Sequence, residues 1–305
     1  MRSLPWSLDG SWFRANLHAH TNRSDGTATP SDLAALYARN GYDVLALTDH
    51  FLERYGWPLT GPEHVNGSPL IVLRGAELHT GTTRAGHLWH MLAVGLPEGF
   101  AAPAPDEGIA TLVARAAAAG AFVAVPHPAW YALSDADLAD VAPFHAVEVW
   151  NATADDHNGR PDSTHSWRVL LEHDQRIGAI AADDTHLRPE RADAVRAWTM
   201  IKATGPDDLV RALRAGAFYA STGPTLHDVR VEATEVVVAC SPARRAWLGG
   251  TGFTSVARQG IGTTEWRFPF ERLGSDWATV TVEDEWGRRA WTNAFAVGSR
   301  PRSEG

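Results

Sequence analysis

The sequence is poor in cysteine and lysine, with one residue of each, Cys240 and Lys202. A single cysteine excludes an intrachain disulfide. A single lysine argues against Schiff-base chemistry unless Lys202 itself supplies the amine. Acidic residues outnumber basic ones by 36 to 27, which gives a formal net charge of −9, and the basic residues form no stripe. A nucleic-acid polymer is not an expected partner, because phosphate backbones require clustered cations.

Long apolar runs are missing as well. The opening residues, MRSLPWSLDGSWFRANLHAH, contain no apolar stretch of signal-peptide length, and no later segment reaches a membrane-spanning length. We therefore expect a cytoplasmic protein without membrane contact, whose oligomeric state the sequence leaves open. The 305 residues, 44% of them hydrophobic, suffice for one large domain or for a large domain and a small one.

Short apolar runs alternate with helical patterns over the first two thirds of the chain. The stretch TPSDLAALYARNG predicts a helix with Thr29 as N-cap, Pro30 in the first turn and Gly41 beyond the end. Such alternation is typical of the α/β class, in which helices cover a parallel sheet. Strand-like alternation dominates from residue 225 onward. We therefore predict a large domain over residues 1–224 and a small antiparallel β-sandwich-like domain over 225–305.

The stretch NLHAHTNRSDG (16–26) contains two histidines one residue apart, His18 and His20, followed by Asp25. On a strand, residues i and i+2 point to the same face, so the two imidazoles would converge. The stretch alone fits either two solvated histidines or a chelate for a divalent metal.

Similar side chains end other predicted strands of this domain. They are Asp49, His50, Glu77, His127, Glu148, Asp184 and His186. In a β/α barrel the carboxyl ends of the strands open onto one face, so these side chains would meet there. Histidine and carboxylate ligands without thiolates fit Zn, Mn or Fe. Because so many ligands exceed the needs of one ion, we expect two or three divalent ions that share a bridging carboxylate.

At these positions the sequence resembles the PHP (polymerase and histidinol phosphatase) superfamily. The resemblance covers about residues 14–222 and rests on HAHTNRSDG, ALTDH, GAE, HPAW and DDTH, in the family's order. The segment GAFYASTGP with its β-rich tail is similar to the carbaryl-hydrolase, or CehA/McbA-like, branch. The resemblance implies a distorted seven-stranded (β/α) barrel with a metal cluster at the carboxyl ends of its strands.

The resemblance also implies three groups of ligands. One metal would take His18, His20, Glu77 and Asp184; a second would share Glu77 and add His127 and a histidine of GHLWHMLAVG. A third metal, or a hydrogen-bonded remnant of its site, would use Asp25, His50 and His186.

The histidine of GHLWHMLAVG is either His87 or His90. Residues three apart on a strand point to opposite faces, so one of the two is the expected ligand. His90 is favoured because it begins the family's HxxxxG ending. His79, two residues past Glu77, is either a contact of the ligands or an exposed strand end.

The implied activity is that of a phosphoesterase, in which a metal-bridging hydroxide attacks a small phosphorylated metabolite. Glu77 and Asp184 would hold the metals, and His186 would protonate the leaving oxygen. If the substrate is an anion, Arg23 or Arg188 would clamp it; the alternative is an exposed arginine without this role. Two alternatives stay open: a carboxyl- or carbamate-ester hydrolase with the same metals, and a metal-stabilised binding protein. Supporting or packing roles are expected for Asp49, Asp183, Trp130 and Tyr131. Glu148 and Asn151 would either form structural hydrogen bonds or contact the substrate.

Overall fold

The computed structural model describes residues 3–298 apart from residues 142 and 272. Residues 299–305, which end the predicted second domain, lie outside the described part of the chain. In that part, no helix has the length and apolarity needed to cross a membrane.

The described residues contain both helices and a large network of strands. The strands are β1 Ser11–Asn16, β2 Val44–Leu47, β3 His50–Phe51, β4 Ile71–Leu78, β5 Met91–Val94, β6 Phe122–Val125, β7 Ala146–Asn151, β8 Gly178–Ala182, β9 Trp198–Ala203, β10 Phe218–Ser221, β11 Leu226–Val231, β12 Glu235–Gly249, β13 Ser255–Pro269, β14 Trp277–Glu283, β15 Arg289–Thr292 and β16 Phe295–Ala296. The helices are α1 Pro30–Arg39, α2 Ile109–Ala118, α3 Pro128–Tyr131, α4 Asp135–Asp140, α5 Ala152–Asn158, α6 Thr164–His173 and α7 Leu209–Ala215.

Helix α1 begins and ends where the sequence predicts. The side chain of Thr29 accepts a hydrogen bond from the backbone N–H of Asp32, and Pro30 occupies the first turn. Gly41 has a φ of 75°, a left-handed conformation that favours glycine after a helix.

The first part of the fold is a curved run of neighbouring strands in the order β9-β1-β2-β4-β5-β6-β7-β8. Strands β1, β2 and β4 are parallel to one another, as are β6, β7 and β8. Strand β5 is antiparallel to both β4 and β6, and β9 is antiparallel to β1. The two ends of the run meet where Thr199 Oγ1 donates a hydrogen bond to the carbonyl of Ala181 at 3.2 Å. The predicted α/β class is confirmed, whereas the seven-stranded barrel stays a prediction.

The described residues after 224 contain strands and no helix. Strands β11 to β16 pair in antiparallel fashion. Strand β15 also pairs with β10, and β10 pairs with β9, so the C-terminal strands continue the sheet of the first part. Trp277 and Trp291 belong to the same hydrophobic core as Val147 and Trp167. The division at residues 224 and 225 stays a prediction.

Candidate metal centre

His18 and His20 follow the end of β1 and point into one buried cluster. Their Nε2 atoms lie 3.1 Å apart. Asp184, which follows β8, brings its Oδ1 within 3.1 Å of the first nitrogen and 3.0 Å of the second. Two backbone hydrogen bonds hold the segments after β1 and β8 together: His20 N–H donates to the carbonyl of Thr185, and Asp184 N–H donates to that of His18. The predicted same-face pair is therefore present.

Glu77, near the end of β4, lies at the middle of this cluster. Its Oε1 is 2.8 Å from His90 Nδ1 and 3.3 Å from His127 Nε2, and its Oε2 is 2.6 Å from His50 Nδ1. Glu77 is 1% exposed, so imidazoles rather than water surround its carboxylate.

Asp25, His50 and His186 form a third group beside the first two. Asp25 Oδ1 lies 3.4 Å from His50 Nε2 and 3.3 Å from His186 Nε2. The ring of His20 is 4.3 Å from the rings of both histidines, measured between centroids. The structure thus brings all nine predicted metal-binding residues into one cluster.

His90 reaches the cluster because of the direction of β5. His90 immediately precedes β5, and an antiparallel strand starts at the edge where its parallel neighbours end. The register that pairs Leu78 with Met91 brings His90 beside His79. His87 is exposed, and its ring lies 5.9 Å from that of Tyr131. The structure therefore places His90, and not His87, among the candidate ligands.

In two of the imidazoles, Nδ1 lies within hydrogen-bonding distance of an oxygen acceptor. His18 Nδ1 is 3.2 Å from Glu148 Oε1, and His186 Nδ1 is 2.7 Å from the carbonyl oxygen of Asp184. A neutral imidazole that donates through Nδ1 presents the lone pair of Nε2. Both Nε2 atoms face the cluster, which is the arrangement that metal ligation requires.

Glu148 and Asn151 support these ligands from β7. Glu148 Oε2 accepts from the backbone N–H of His127 at 2.9 Å and from Asn151 Nδ2 at 2.7 Å. Asn151 Nδ2 also lies 3.3 Å from Asp184 Oδ2. The acidic residue of the apolar strand AVEVW was the sequence signal for this role.

Two buried aspartates hold the loops that present the ligands. Asp49 accepts from the backbone N–H and hydroxyl of Thr21 and from the hydroxyl of Ser24, which fixes the loop before Asp25. Asp183 accepts from the hydroxyl of Tyr37 and from the backbone N–H groups of residues 195–197. Burial raises the pKa of Asp183 to about 6, against the effect of these donors.

Two candidate ligands have strained backbones. His127 has a φ of 34° and Asp184 a φ of 55°, in the left-handed region that non-glycine residues rarely adopt. Each such residue costs about 1–3 kcal/mol and persists where its surroundings determine the conformation. Here hydrogen bonds hold both backbones, because His127 N–H donates to Glu148 Oε2 and Asp184 N–H donates to the carbonyl of His18.

The donor set fits divalent metals. Ligands bound at 2.0–2.1 Å from one ion lie about 3 Å apart, and the nitrogen and oxygen atoms around Asp184 Oδ1 have that spacing. Four buried atoms of the cluster lack a hydrogen-bonding partner: His20 Nδ1, Asp25 Oδ1, Glu77 Oε2 and His127 Nδ1. Buried polar atoms are rarely left so, and two of these are carboxylate oxygens that a cation would satisfy.

Burial and neighbouring charges shift the pKa values of the clustered side chains in both directions. Burial lowers the pKa of His18, but the carboxylates of Asp184, Glu148 and Glu77 outweigh burial and raise it to about 10. Burial and the neighbouring His186 and His50 lower the pKa of His20 to about 4. Burial raises the pKa of Glu77, yet the imidazoles around it hold that pKa well below its usual range.

Two further residues enter the cluster. The sequence left His79 open between a ligand contact and an exposed strand end; it is buried, with Nε2 2.8 Å from His50 Nδ1. Tyr131, expected to pack, has its hydroxyl 3.1 Å from His90 Nε2. Tyr131 ends α3, the short helix that follows His127, so its position in the sequence beside a ligand was the available signal.

The two predicted substrate-binding arginines have different partners. Arg188 Nη2 is 2.6 Å from Asp25 Oδ2, and the Arg188 side chain is 35% exposed. Arg23 Nε donates to Thr60 Oγ1 at 3.2 Å. The Arg188 guanidinium is thus held beside the third group of ligands, whereas the contact of Arg23 is with Thr60.

No family model and no curated protein matches the chain. Among solved structures, one match is a two-domain protein from Bacteroides vulgatus, described as containing a predicted PHP-like metal-dependent phosphoesterase. It aligns over 97% of this chain and 98% of its own, with a TM-score of 0.51 and 15% identity. The chain has the fold of that protein. At this identity the likeness concerns the fold alone.

Two other solved structures match over less of the chain. An amidohydrolase from Chromobacterium violaceum aligns over 59% of this chain and 89% of its own, with a TM-score of 0.41 and 16% identity. A candidate metal-dependent phosphoesterase from Bifidobacterium adolescentis aligns over 66% and 96%, with a TM-score of 0.42 and 18% identity.

Proposed function

We propose that the chain is a metal-dependent hydrolase of the PHP superfamily that cleaves a phosphate ester of a small metabolite. The observation that carries this proposal is the cluster itself, in which histidines and carboxylates from separate strands converge within reach of common ions. The motifs HAHTNRSDG, GAE and DDTH supply these residues in the order of that superfamily. The segment GAFYASTGP supports the further proposal of the carbaryl-hydrolase-like branch.

Two or three divalent ions, Zn, Mn or Fe, would be held by the residues of the cluster. His18, His20 and Asp184 would hold one ion, His90 and His127 a second, and Glu77 would be shared between them. Asp25, His50 and His186 would hold a third. Bound there, such ions lower the pKa of water and polarise phosphoryl oxygens.

The protein's own groups would position the substrate and move protons. His186 donates through Nδ1 to the carbonyl of Asp184, so Nε2 is the nitrogen that can pass a proton to the leaving oxygen when it holds no metal. Burial lowers the pKa of His186, but Asp25 and Asp184 raise it above its ordinary value. Arg188 and Arg23 would bind the anionic phosphate, and the exposed part of Arg188 supports this role.

The test combines metal analysis with a panel of phosphate monoesters, phosphate diesters and aryl esters. We expect the purified protein to contain divalent metal and to hydrolyse a phosphate ester. Chelation should abolish the activity, and Mn²⁺ or Zn²⁺ should restore it. Hydrolysis of aryl or carbamate esters alone would favour the carboxyl-ester alternative, which uses the same metals. Bound metal without hydrolysis of any ester would favour a metal-stabilised binding protein.

A further inference from the structure

His79 is a buried histidine whose two ring nitrogens have different kinds of partner. The residue is 2% exposed and directly follows β4. Nδ1 lies 2.9 Å from the backbone carbonyl oxygen of Trp89, and Nε2 lies 2.8 Å from His50 Nδ1. The ring is therefore held between a fixed backbone group and a candidate metal ligand.

The carbonyl of Trp89 determines where the hydrogen atoms lie along this chain of contacts. A carbonyl oxygen can only accept, so His79 Nδ1 carries the hydrogen and, in the neutral ring, Nε2 carries the lone pair. His50 Nδ1 must then be the donor of the contact at 2.8 Å. When its ring is neutral, His50 then has its lone pair on Nε2, the nitrogen that lies 3.4 Å from Asp25 Oδ1.

We infer that His79 is a positioning residue for His50. Its ligand atom also lies within 4.8 Å of those of His50, Glu77 and His90, so ligation of a metal by His79 is the alternative that the substitutions below test. As a positioning residue, His79 accepts the Nδ1–H of His50 and so directs the Nε2 lone pair of His50 toward the group formed with Asp25 and His186. This inference rests on the proposed function for the identity of that group as a metal site. Outer partners of this kind orient a metal-binding imidazole, and their loss typically costs 10–100-fold in metal affinity.

Glu77 does not replace His79 in this role. Burial lowers the pKa of His50, and the charge of Glu77 raises it against that effect. Glu77 Oε2 lies 2.6 Å from His50 Nδ1, but the two atoms are not in hydrogen-bonding geometry. The same oxygen is within 3.6 Å of His20 Nε2, where it faces the interior of the cluster. His79 is thus the acceptor that the geometry assigns to His50, and Glu77 Oε2 stays available to a cation.

Two substitutions of His79 separate a positioning role from ligation. His79→Phe keeps a ring and removes the acceptor. His79→Gln keeps an acceptor for His50 and an N–H donor for Trp89, but removes the imidazole. The ring nitrogens of His50 are observed by ¹⁵N–¹H correlation spectra of the metal-free protein, and Mn²⁺ binding is measured by titration. Circular dichroism confirms that each variant is folded.

We expect wild type and His79→Gln to show His50 protonated at Nδ1 and to bind Mn²⁺ within about threefold of each other. His79→Phe should give a mixture of His50 tautomers and weaken one Mn²⁺ site by about 10–100-fold. Equal loss of Mn²⁺ in both variants would make His79 a ligand and overturn the inference. An unchanged tautomer and affinity in His79→Phe would also overturn it.

These outcomes are separate from the fate of the proposed function. If wild type hydrolyses no phosphate ester, the proposed function fails, while the His50 tautomer and the Mn²⁺ data still decide the role of His79. If wild type hydrolyses phosphate esters and His79→Phe behaves as wild type in every measurement, only the inference about His79 fails.

Discussion

Among the described carboxylates, Glu77 has the most imidazoles around it. Six histidines have a ring nitrogen between 2.6 and 3.7 Å from one of its oxygens: His18, His20, His50, His79, His90 and His127. In a buried site with little water, a carboxylate interacts strongly with nearby cations, and a buried charge without a partner destabilises the fold. A substitution that removes the negative charge should therefore disturb more than one ion.

Replacing Glu77 with glutamine keeps the shape of the side chain and removes its charge. We expect Glu77→Gln to lose at least one metal equivalent, because a neutral amide is a poorer bridge between cations than a carboxylate. Hydrolysis should fall by more than the roughly 10–100-fold that loss of an outer partner costs. Elemental analysis and the ester assay measure both effects. The exposed Glu98→Gln is the matched control, and unchanged metal content in Glu77→Gln would refute the bridging role.

The pKa of His18 predicts how metal affinity depends on pH. Burial lowers that pKa, but Asp184, Glu148 and Glu77 raise it from 6.5 to about 10. In the metal-free fold this proton contributes stability that is fully present below about pH 6.5 and is lost as pH rises through about 10. A metal must displace the proton from Nε2, so affinity should rise with pH across this window, by up to about tenfold per unit.

Mn²⁺ titrations at several pH values between these limits measure that dependence. The exposed His227→Gln should leave it unchanged, since that imidazole lies outside the cluster. A Mn²⁺ affinity that does not vary with pH would show that His18 carries no proton to displace.

At the level of the elements, the direction of β5 decides which residues reach the cluster. Parallel strands contribute the residues that follow them, as β1 contributes His18 and β8 contributes Asp184. Strand β5 is antiparallel and contributes the residue that precedes it, His90. Its neighbour in the motif, His87, stays outside because the chain before β5 turns away through an exposed segment.

Alanine substitutions of the two histidines test this arrangement, and each serves as the other's control. We expect His90→Ala to lose metal and most hydrolysis, because the contact with Glu77 Oε1 at 2.8 Å disappears. His87→Ala should keep both, since its imidazole is exposed. Metal content and ester hydrolysis are measured for both variants. The reverse pattern would transfer the role to His87, and equal mild effects would exclude both residues as ligands.

At the level of the whole molecule, the C-terminal strands are joined to the first part by backbone pairing and by a buried amide. Asn293 Oδ1 accepts from the backbone N–H of Ala179 at 2.8 Å. Its Nδ2 donates to the carbonyls of Gly216 and Phe218 at 3.0 and 3.1 Å. This single side chain thus connects the end of β15 with β8 and β10.

Asn293→Ala should lower the free energy of unfolding by about 3 kcal/mol or more, because three backbone groups lose this partner and a buried group left unpaired costs about 1–3 kcal/mol. Urea denaturation of the metal-free protein measures the change. The exposed Asn66→Ala is the matched control and should stay within about 0.5 kcal/mol of wild type. A midpoint that Asn293→Ala leaves unchanged would show that the two parts do not depend on this contact.

The sequence by itself determined the features that depend on neighbouring residues. Thr29, Pro30 and Gly41 specify the ends of α1 through local backbone chemistry. The spacing of His18 and His20 specifies a same-face pair, because the side chains of an extended segment alternate. The candidate ligands could be named in advance since most of them directly follow apolar strands, whose carboxyl ends meet at one edge.

Only the tertiary structure decided the features that depend on partners distant in the chain. The sequence did not predict strand β9. Its short alternating segment becomes a strand through pairing with β1 and β10, which are distant from it in the chain or become its neighbours only on folding. The roles of Glu148 and His79 follow from contacts with His18 and His50, across many residues of intervening chain. A hydrogen bond depends on where two groups meet in space, and the fold, rather than local propensity, brings those groups together.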